Sequence, residues 1–265
     1  MISSTSTTLF LIAGAIGVAL PVICFFFQKK SDKGMFYLLV GALAYVIVIL
    51  FVKDTIQYSI VQTNFYYDMV MNFNNGTLLS YLPLLAYQVL MTVGFEVIAF
   101  VLAYLFVEKR NPNKMDIFYL GLGYAAMAII FTLTIPFFQN FQYASMVNDG
   151  TINTLIGQNG ITQEYVDQLI VYLQQYDILT TILYILDAIL RFFVRISAVL
   201  FILEGVMKEK KWQHILIVAG YLILTYVIIS LASFLTNNQI ISMIIEVVIY
   251  LPALYYLISS NKKTA

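Results

Sequence analysis

Histidine and cysteine are almost missing from this 265-residue chain, which has one of each, His214 and Cys24. A single cysteine inside an apolar run excludes an internal disulfide and a cysteine-based metal site. The single histidine stands beside Lys211 and Trp212 at the edge of an apolar stretch, where an interfacial residue is expected rather than a ligand. Charge is scarce as well. Asp, Glu, Lys and Arg make up 11% of the chain, about half the share of a soluble domain. The 14 acids and 14 bases cancel, so no bias points to nucleic acid. The first apolar run, Leu9 to Phe27, has no basic segment before it and no Ala-x-Ala site after it. It is expected to be a retained helix rather than a cleaved signal. No internal repeat stands out.

Apolar residues, by contrast, reach 61%, with a mean hydropathy of +0.87. They come in long blocks, which a soluble core does not require. Seven blocks read as spans: about 8–28, 35–53, 78–107, 115–136, 180–207, 212–235 and 239–259. Each approaches or exceeds the roughly 20 residues that cross about 30 Å of hydrocarbon. The reading is an all-α, polytopic bundle forming one integral membrane domain over 1–265, with the lipid bilayer as its surroundings. The third span is the longest and is expected to tilt, or to break near Pro83, whose ring removes a helix hydrogen bond. Usage rich in Lys, Asn, Tyr and Ile points to a low-GC bacterium, and so to its cytoplasmic membrane.

Basic residues orient the bundle. Lys29, Lys30 and Lys33 follow span 1; Lys109, Arg110 and Lys114 separate spans 3 and 4; Lys208, Lys210 and Lys211 separate spans 5 and 6; Lys262 and Lys263 follow span 7. These are eleven of the 14 bases, all on one side, so the N-terminus is expected outside and the C-terminus in the cytoplasm. Two segments then lie outside. Residues 55–76 carry Tyr58, Phe65, Tyr66, Tyr67 and Phe73, which suits an interfacial helix. Residues 137–179 contain Gly150, Gly157 and Gly160 as breakers. Thr162 then has the character of an N-cap for a helix to about Tyr176, with Tyr165, Leu169, Tyr172, Leu173 and Tyr176 on one face. That helix is either a lid packed on the outer mouth or a site for a partner or substrate.

Few ionisable residues lie deep in the spans. Asp187, Arg191 and Arg195 share a face of span 5, and Asp187 precedes Arg191 in the favourable i, i+4 order. Glu96 and Glu246 are the only other acids at depth. Counting back from the cytoplasmic ends at about 1.5 Å per residue puts Glu96, Arg195 and Glu246 all at roughly 17 Å, close to the midplane. Unpaired charge at that depth costs roughly 3 kcal/mol or more per group, so pairing is the default and a Glu–Arg–Glu cluster is geometrically possible. Such charges can fix helix register, carry protons or ions, or mark a catalytic centre.

Four segments add a resemblance. Gly94-Phe95-Glu96 resembles the glycine–phenylalanine entry to a Glu-Glu-x-x-Arg-type motif. Gly121-Leu122-Gly123-Tyr124-Ala125-Ala126 resembles a Gly-x-Gly-His-Gly-Gly segment. The stretch from Asp187 to Ser197 resembles an acid-led helix ending in a histidine, and Gly220-Tyr221 a final helix-borne histidine position. Together they resemble the YhfC family of predicted intramembrane peptidases, distant relatives of the CAAX-protease and bacteriocin-processing group. The resemblance implies a helical membrane fold and peptide hydrolysis by an acid–base group, with histidine or a metal to stabilise the oxyanion. This chain departs from the motifs. Val97 and Phe100 stand at the second acid and the arginine, and Tyr124, Arg195 and Tyr221 stand at the three histidines. Arg195 has no acceptor and stays protonated, so it serves neither as base nor as zinc ligand, but it can pair with Glu96 and silence it.

The expectation is therefore a non-catalytic relative. It would bind a transmembrane or lipid-modified peptide in an immunity or regulatory role, with no cofactor and no metal. Its central cleft would involve Glu96, Tyr124, Asp187, Arg191, Arg195, Tyr221 and Glu246. The alternatives are an active peptidase using Glu96, and a transporter or proton pathway.

Overall fold

The computed structural model describes residues 1–27, 31–73, 77–107, 110–157, 161–207, 211–236 and 238–262, and among these it is all-helical. Nine helices longer than one turn follow in chain order, with a short 3-10 turn at Ile152–Leu155 between the fifth and sixth: α1 Ser4–Phe27, α2 Gly34–Val61, α3 Asn64–Phe73, α4 Leu78–Val107, α5 Lys114–Asn148, α6 Gln163–Gln175, α7 Ile178–Met207, α8 Lys211–Thr236 and α9 Gln239–Lys262. Gly76, Gly160 and the basic residues Lys29, Lys30, Lys109, Lys208, Lys210 and Lys263 lie outside the described residues.

Among the described residues six helices, α1, α2, α4, α5, α8 and α9, are long and apolar enough to cross a membrane. The chain is a membrane-embedded, multi-span helical protein. The remaining long helix, α7, has 30 residues but carries Asp187, Arg191 and Arg195 on its length. Two boundaries differ from the sequence expectation. Helix α2 runs on to Val61, so the segment read as starting outside at residue 55 begins as a continuation of the second span. Helix α5 likewise extends to Asn148. Nothing in either stretch breaks a helix, and the fall in hydropathy marks only where apolar cover ends.

Helix α4 passes Pro83 without interruption. The missing Pro83 N–H would have bonded the carbonyl of Leu79, within the first turn, so only one terminal bond is lost. Thr77 secures that turn, accepting from the Ser80 N–H at 3.2 Å while its own N–H donates to Ser80 Oγ. The irregularities of the long helices are π-helical turns instead: Val46–Lys53 in α2, Leu90–Gly94 in α4 and Ile130–Thr134 in α5. Each wide turn shifts the face that the rest of the helix presents, and such turns gather at functional sites.

The chain divides into two compact units. The first comprises Met1–Phe27 and Ala128–Phe192. Here α1 lies along the second half of α5, close enough that a Cβ on Gly17 would meet Thr134 Oγ1 at 2.2 Å. Ile2 and Asn148 exchange a reciprocal pair of hydrogen bonds at 2.8 and 3.0 Å. Thr162 caps α6, accepting from the Tyr165 N–H at 3.2 Å, and Gly150 and Gly157 adopt positive φ in the connection before it. The buried face of α6 is centred on Val166 and Leu173, with Tyr165 and Tyr172 exposed. This corrects the expected tyrosine-led face. A tyrosine gains little from burial unless its hydroxyl finds a partner, whereas Val and Leu gain from burial outright. Tyr176 packs edge-on against Phe10 and Phe137 at 5.7 and 5.9 Å. The second unit comprises Gln28–Met127 and Phe193–Ala265, and it holds the site described next.

Candidate functional site

Glu96 enters through local helix geometry. It follows the π turn Leu90–Gly94 directly, on the second residue of the resumed α-helix. Arg195 comes from α7. Its Nε donates to Glu96 Oε1 at 2.8 Å and its Nη2 lies 2.7 Å from the same oxygen. Both side chains are only 13% exposed. Desolvating each ion costs several kcal/mol, which the close pairing in a low-dielectric setting offsets.

Tyr124 forms one wall. It is fully buried, with its ring edge-on to Phe100 at 4.7 Å and to Tyr45 at 5.2 Å. Its hydroxyl makes no hydrogen bond among the described residues. Tyr45 and Tyr124 both stand near the Glu96–Arg195 pair.

The glycines around Tyr124 explain how it gets there. A Cβ on Gly123 would stand 1.9 Å from the Leu38 carbonyl oxygen, and one on Gly41 would stand 1.9 Å from that of Leu120. The backbones of α2 and α5 are therefore in direct contact at this crossing. On another side of α5, a Cβ on Gly121 would meet Ile196 Cα at 3.2 Å, next to Arg195. Gly121 admits α7 and Gly123 admits α2, and the residue that follows, Tyr124, is held by both approaches. The Gly-x-Gly spacing thus serves close packing on two sides of one helix.

The other sequence-chosen residues have different partners. Tyr221 donates its hydroxyl to the Ile249 carbonyl at 2.7 Å. Ile249 lies in the turn before Pro252 in α9, so the tyrosine adds a hydrogen bond from α8 to the carbonyl next to that of Val248, which Pro252 leaves without a helix donor. Asp187 and Arg191 belong to the first unit and pair with each other at 2.5 Å, each about three-tenths exposed. Glu246 is buried in α9 at 5% exposure. Tyr45 was missed by sequence reasoning. Nothing in its surroundings marks it except its place in an apolar helix opposite the Gly121–Tyr124 segment.

A model of the YhfC intramembrane metalloprotease family matches residues 15–251. No curated protein and no solved structure matches the chain. The family description implies a metal, and the donor set can be tested against one. A catalytic zinc takes about three protein ligands from His, Cys, Asp or Glu. Among the described residues no such group of three exists. Around Glu96 stand a guanidinium, which has no lone pair, and two phenols. These residues do not fit a catalytic metal. By a match that covers most of its length, the chain belongs to the YhfC family.

Proposed function

We infer that this protein is a non-hydrolytic member of its family, which holds a transmembrane or lipid-modified peptide within the cell membrane and acts in immunity or regulation. The observation that carries this reading is the double engagement of Glu96 Oε1 by Arg195 at 2.8 and 2.7 Å. Hydrolysis at Glu96 needs a carboxylate oxygen within hydrogen-bond reach of a water or a leaving group. Oε1 is already held by two donors of a cation that never deprotonates. The oxyanion would also need a metal or imidazole, and Tyr124 and Arg195 stand where the family motif has histidines. Arginine and tyrosine still donate hydrogen bonds, so the same centre retains groups suited to holding a peptide carbonyl without activating water. Family membership favours a membrane peptide as the ligand over an ion or a soluble substrate.

The test uses the purified full-length protein in proteoliposomes with a labelled transmembrane peptide. No cleavage is expected, with or without added Zn2+, while the peptide co-purifies with the protein. Cleavage that disappears in Glu96→Gln would establish an active peptidase and overturn the reading. Peptide recovery equal to that from protein-free vesicles would overturn the binding role.

A further inference from the structure

The first unit has a one-sided charge. From Ala128 to Leu190 the sequence holds Asp149, Glu164, Asp167, Asp177 and Asp187 and no Lys, Arg or His. Asp187 pairs with Arg191, the one cationic side chain in the unit. The other four acids are exposed. Three of them have neutral partners. Asp167 accepts from Gln163 Nε2 at 2.9 Å, Glu164 from Gln168 Nε2 at 3.4 Å and Asp177 from the Thr180 N–H at 2.6 Å. No cationic side chain of the unit is left to compensate them. Among the described residues no three acids converge as the ligands of a metal ion would. They are spread along a surface instead.

Helix α6 carries two of these acids on an open face. Val166 and Leu173, both 0% exposed, seat the helix. On a helix of 3.6 residues per turn the opposite ridge runs through Glu164, Gln168, Val171 and Gln175, a length of about 16 Å. Asp167 flanks the ridge on one side, and Tyr165 and Tyr172 flank it on the other. All seven residues are exposed, Tyr165 by 50%, Val171 by 54% and Tyr172 by 42%. Glu164 and Asp167 stand one turn apart, and the tyrosines two turns apart. Tyr172 is held in place, its hydroxyl bonded to that of Tyr176 at 2.7 Å and its ring edge-on to that of Tyr176 at 5.1 Å. The ridge therefore joins uncompensated carboxylates to a fixed aromatic surface.

We propose that the outward face of α6 docks a cationic amphipathic helical peptide, with its bases against Glu164 and Asp167 and its apolar side against Tyr165 and Tyr172. Charge complementarity selects this occupant. An acidic ridge repels acidic partners and anionic head groups, and a neutral helix leaves the carboxylates unpaired. The tyrosine faces attract ammonium and guanidinium groups as well, and aromatic side chains are the anchors that interfaces concentrate. The site lies within the first unit and is independent of Glu96 and of the ligand proposed for that centre.

The test places the full-length protein in phosphatidylcholine nanodiscs and titrates it into a labelled helical peptide of Lys, Ala and Leu, read by fluorescence anisotropy. Saturable binding is expected, weakening as salt is raised. A peptide with Gln in place of every Lys should not bind. The combined Glu164→Gln/Asp167→Asn protein should bind about tenfold more weakly, the loss of two exposed charge pairs, and Tyr165→Ser about threefold more weakly. Asp68→Asn removes an exposed acid of α3, in the second unit, and should leave the affinity within about twofold. Every substituted position is exposed, and the salt and Gln-peptide comparisons use the unmodified protein. Equal binding of the Gln peptide would overturn the site. So would a loss in Asp68→Asn as large as in the α6 double substitution, which would mean a diffuse charge effect. Binding no greater than to empty nanodiscs, as when head groups or a second copy cover the face, would refute the proposal.

Discussion

At the scale of single residues, the Glu96–Arg195 pair dominates. Its members come from helices 99 positions apart in sequence and meet at one carboxylate oxygen. Removing one partner strands the other in a poorly solvated place. Arg195→Ala should therefore cost about 3 kcal/mol or more, whereas replacing both with apolar residues of similar size should cost much less. Thermal unfolding in detergent of Arg195→Ala, Glu96→Leu and the combined Glu96→Leu/Arg195→Met protein checks this. Strict additivity of the single losses would show that the pair contributes no coupling. Part of this residue-level picture was legible, because depth follows from counting at a fixed rise per residue, and Glu96 and Arg195 lie at counts from their helix ends that differ by one residue. Counting does not give the direction in which a side chain points around the helix. Tyr221 lies at a depth close to that of Glu96, yet its hydroxyl serves the Ile249 carbonyl beside Pro252.

At the scale of the element, the helices themselves were legible and their irregularities were not. Length and hydropathy mark an apolar helix in any context. The π turns at 46–53, 90–94 and 130–134 carry no such signal, since they depend on how neighbouring helices pack. Pro83 gave a false lead, because a proline near a helix start costs little. The glycines of α5 are the informative case. Gly123 meets the Leu38 carbonyl, whereas Gly220 of α8, which the family resemblance also singled out, has nothing within 4 Å of a Cβ. Gly123→Ala should force α2 and α5 apart, destabilise the protein by about 1–3 kcal/mol as overpacking does, and shift Tyr124 out of its seat. Gly220→Ala should be tolerated. The two variants can be compared by thermal unfolding and by tyrosine ring resonances. Equal behaviour would mean that the α2–α5 crossing relaxes without cost.

At the scale of the whole molecule, the sequence reading of seven spans meets six helices, among the described residues, that are long and apolar enough to cross, because α7 carries Asp187, Arg191 and Arg195; the division into two compact units was not legible, because it depends on which faces meet. Direction across the membrane rests on charge. The structure places several cationic ends together within the second unit. Lys114 at the start of α5 reaches the Ser260 carbonyl near the end of α9, and Arg110 stacks over Phe36 near the start of α2 at 4.3 Å. On the positive-inside rule we propose that this is the cytoplasmic side. The distribution of bases along the sequence gives the expectation, tested separately, that the N-terminus and α6 are outside. Cys24 is the only cysteine, so a Cys24→Ser background carries no thiol and admits single reporters. A cysteine at the exposed position Gln168 of α6 should react with a membrane-impermeant maleimide in intact cells. One at the exposed position Gln213 of α8 should react only after the membrane is opened. The reverse pattern would invert the protein.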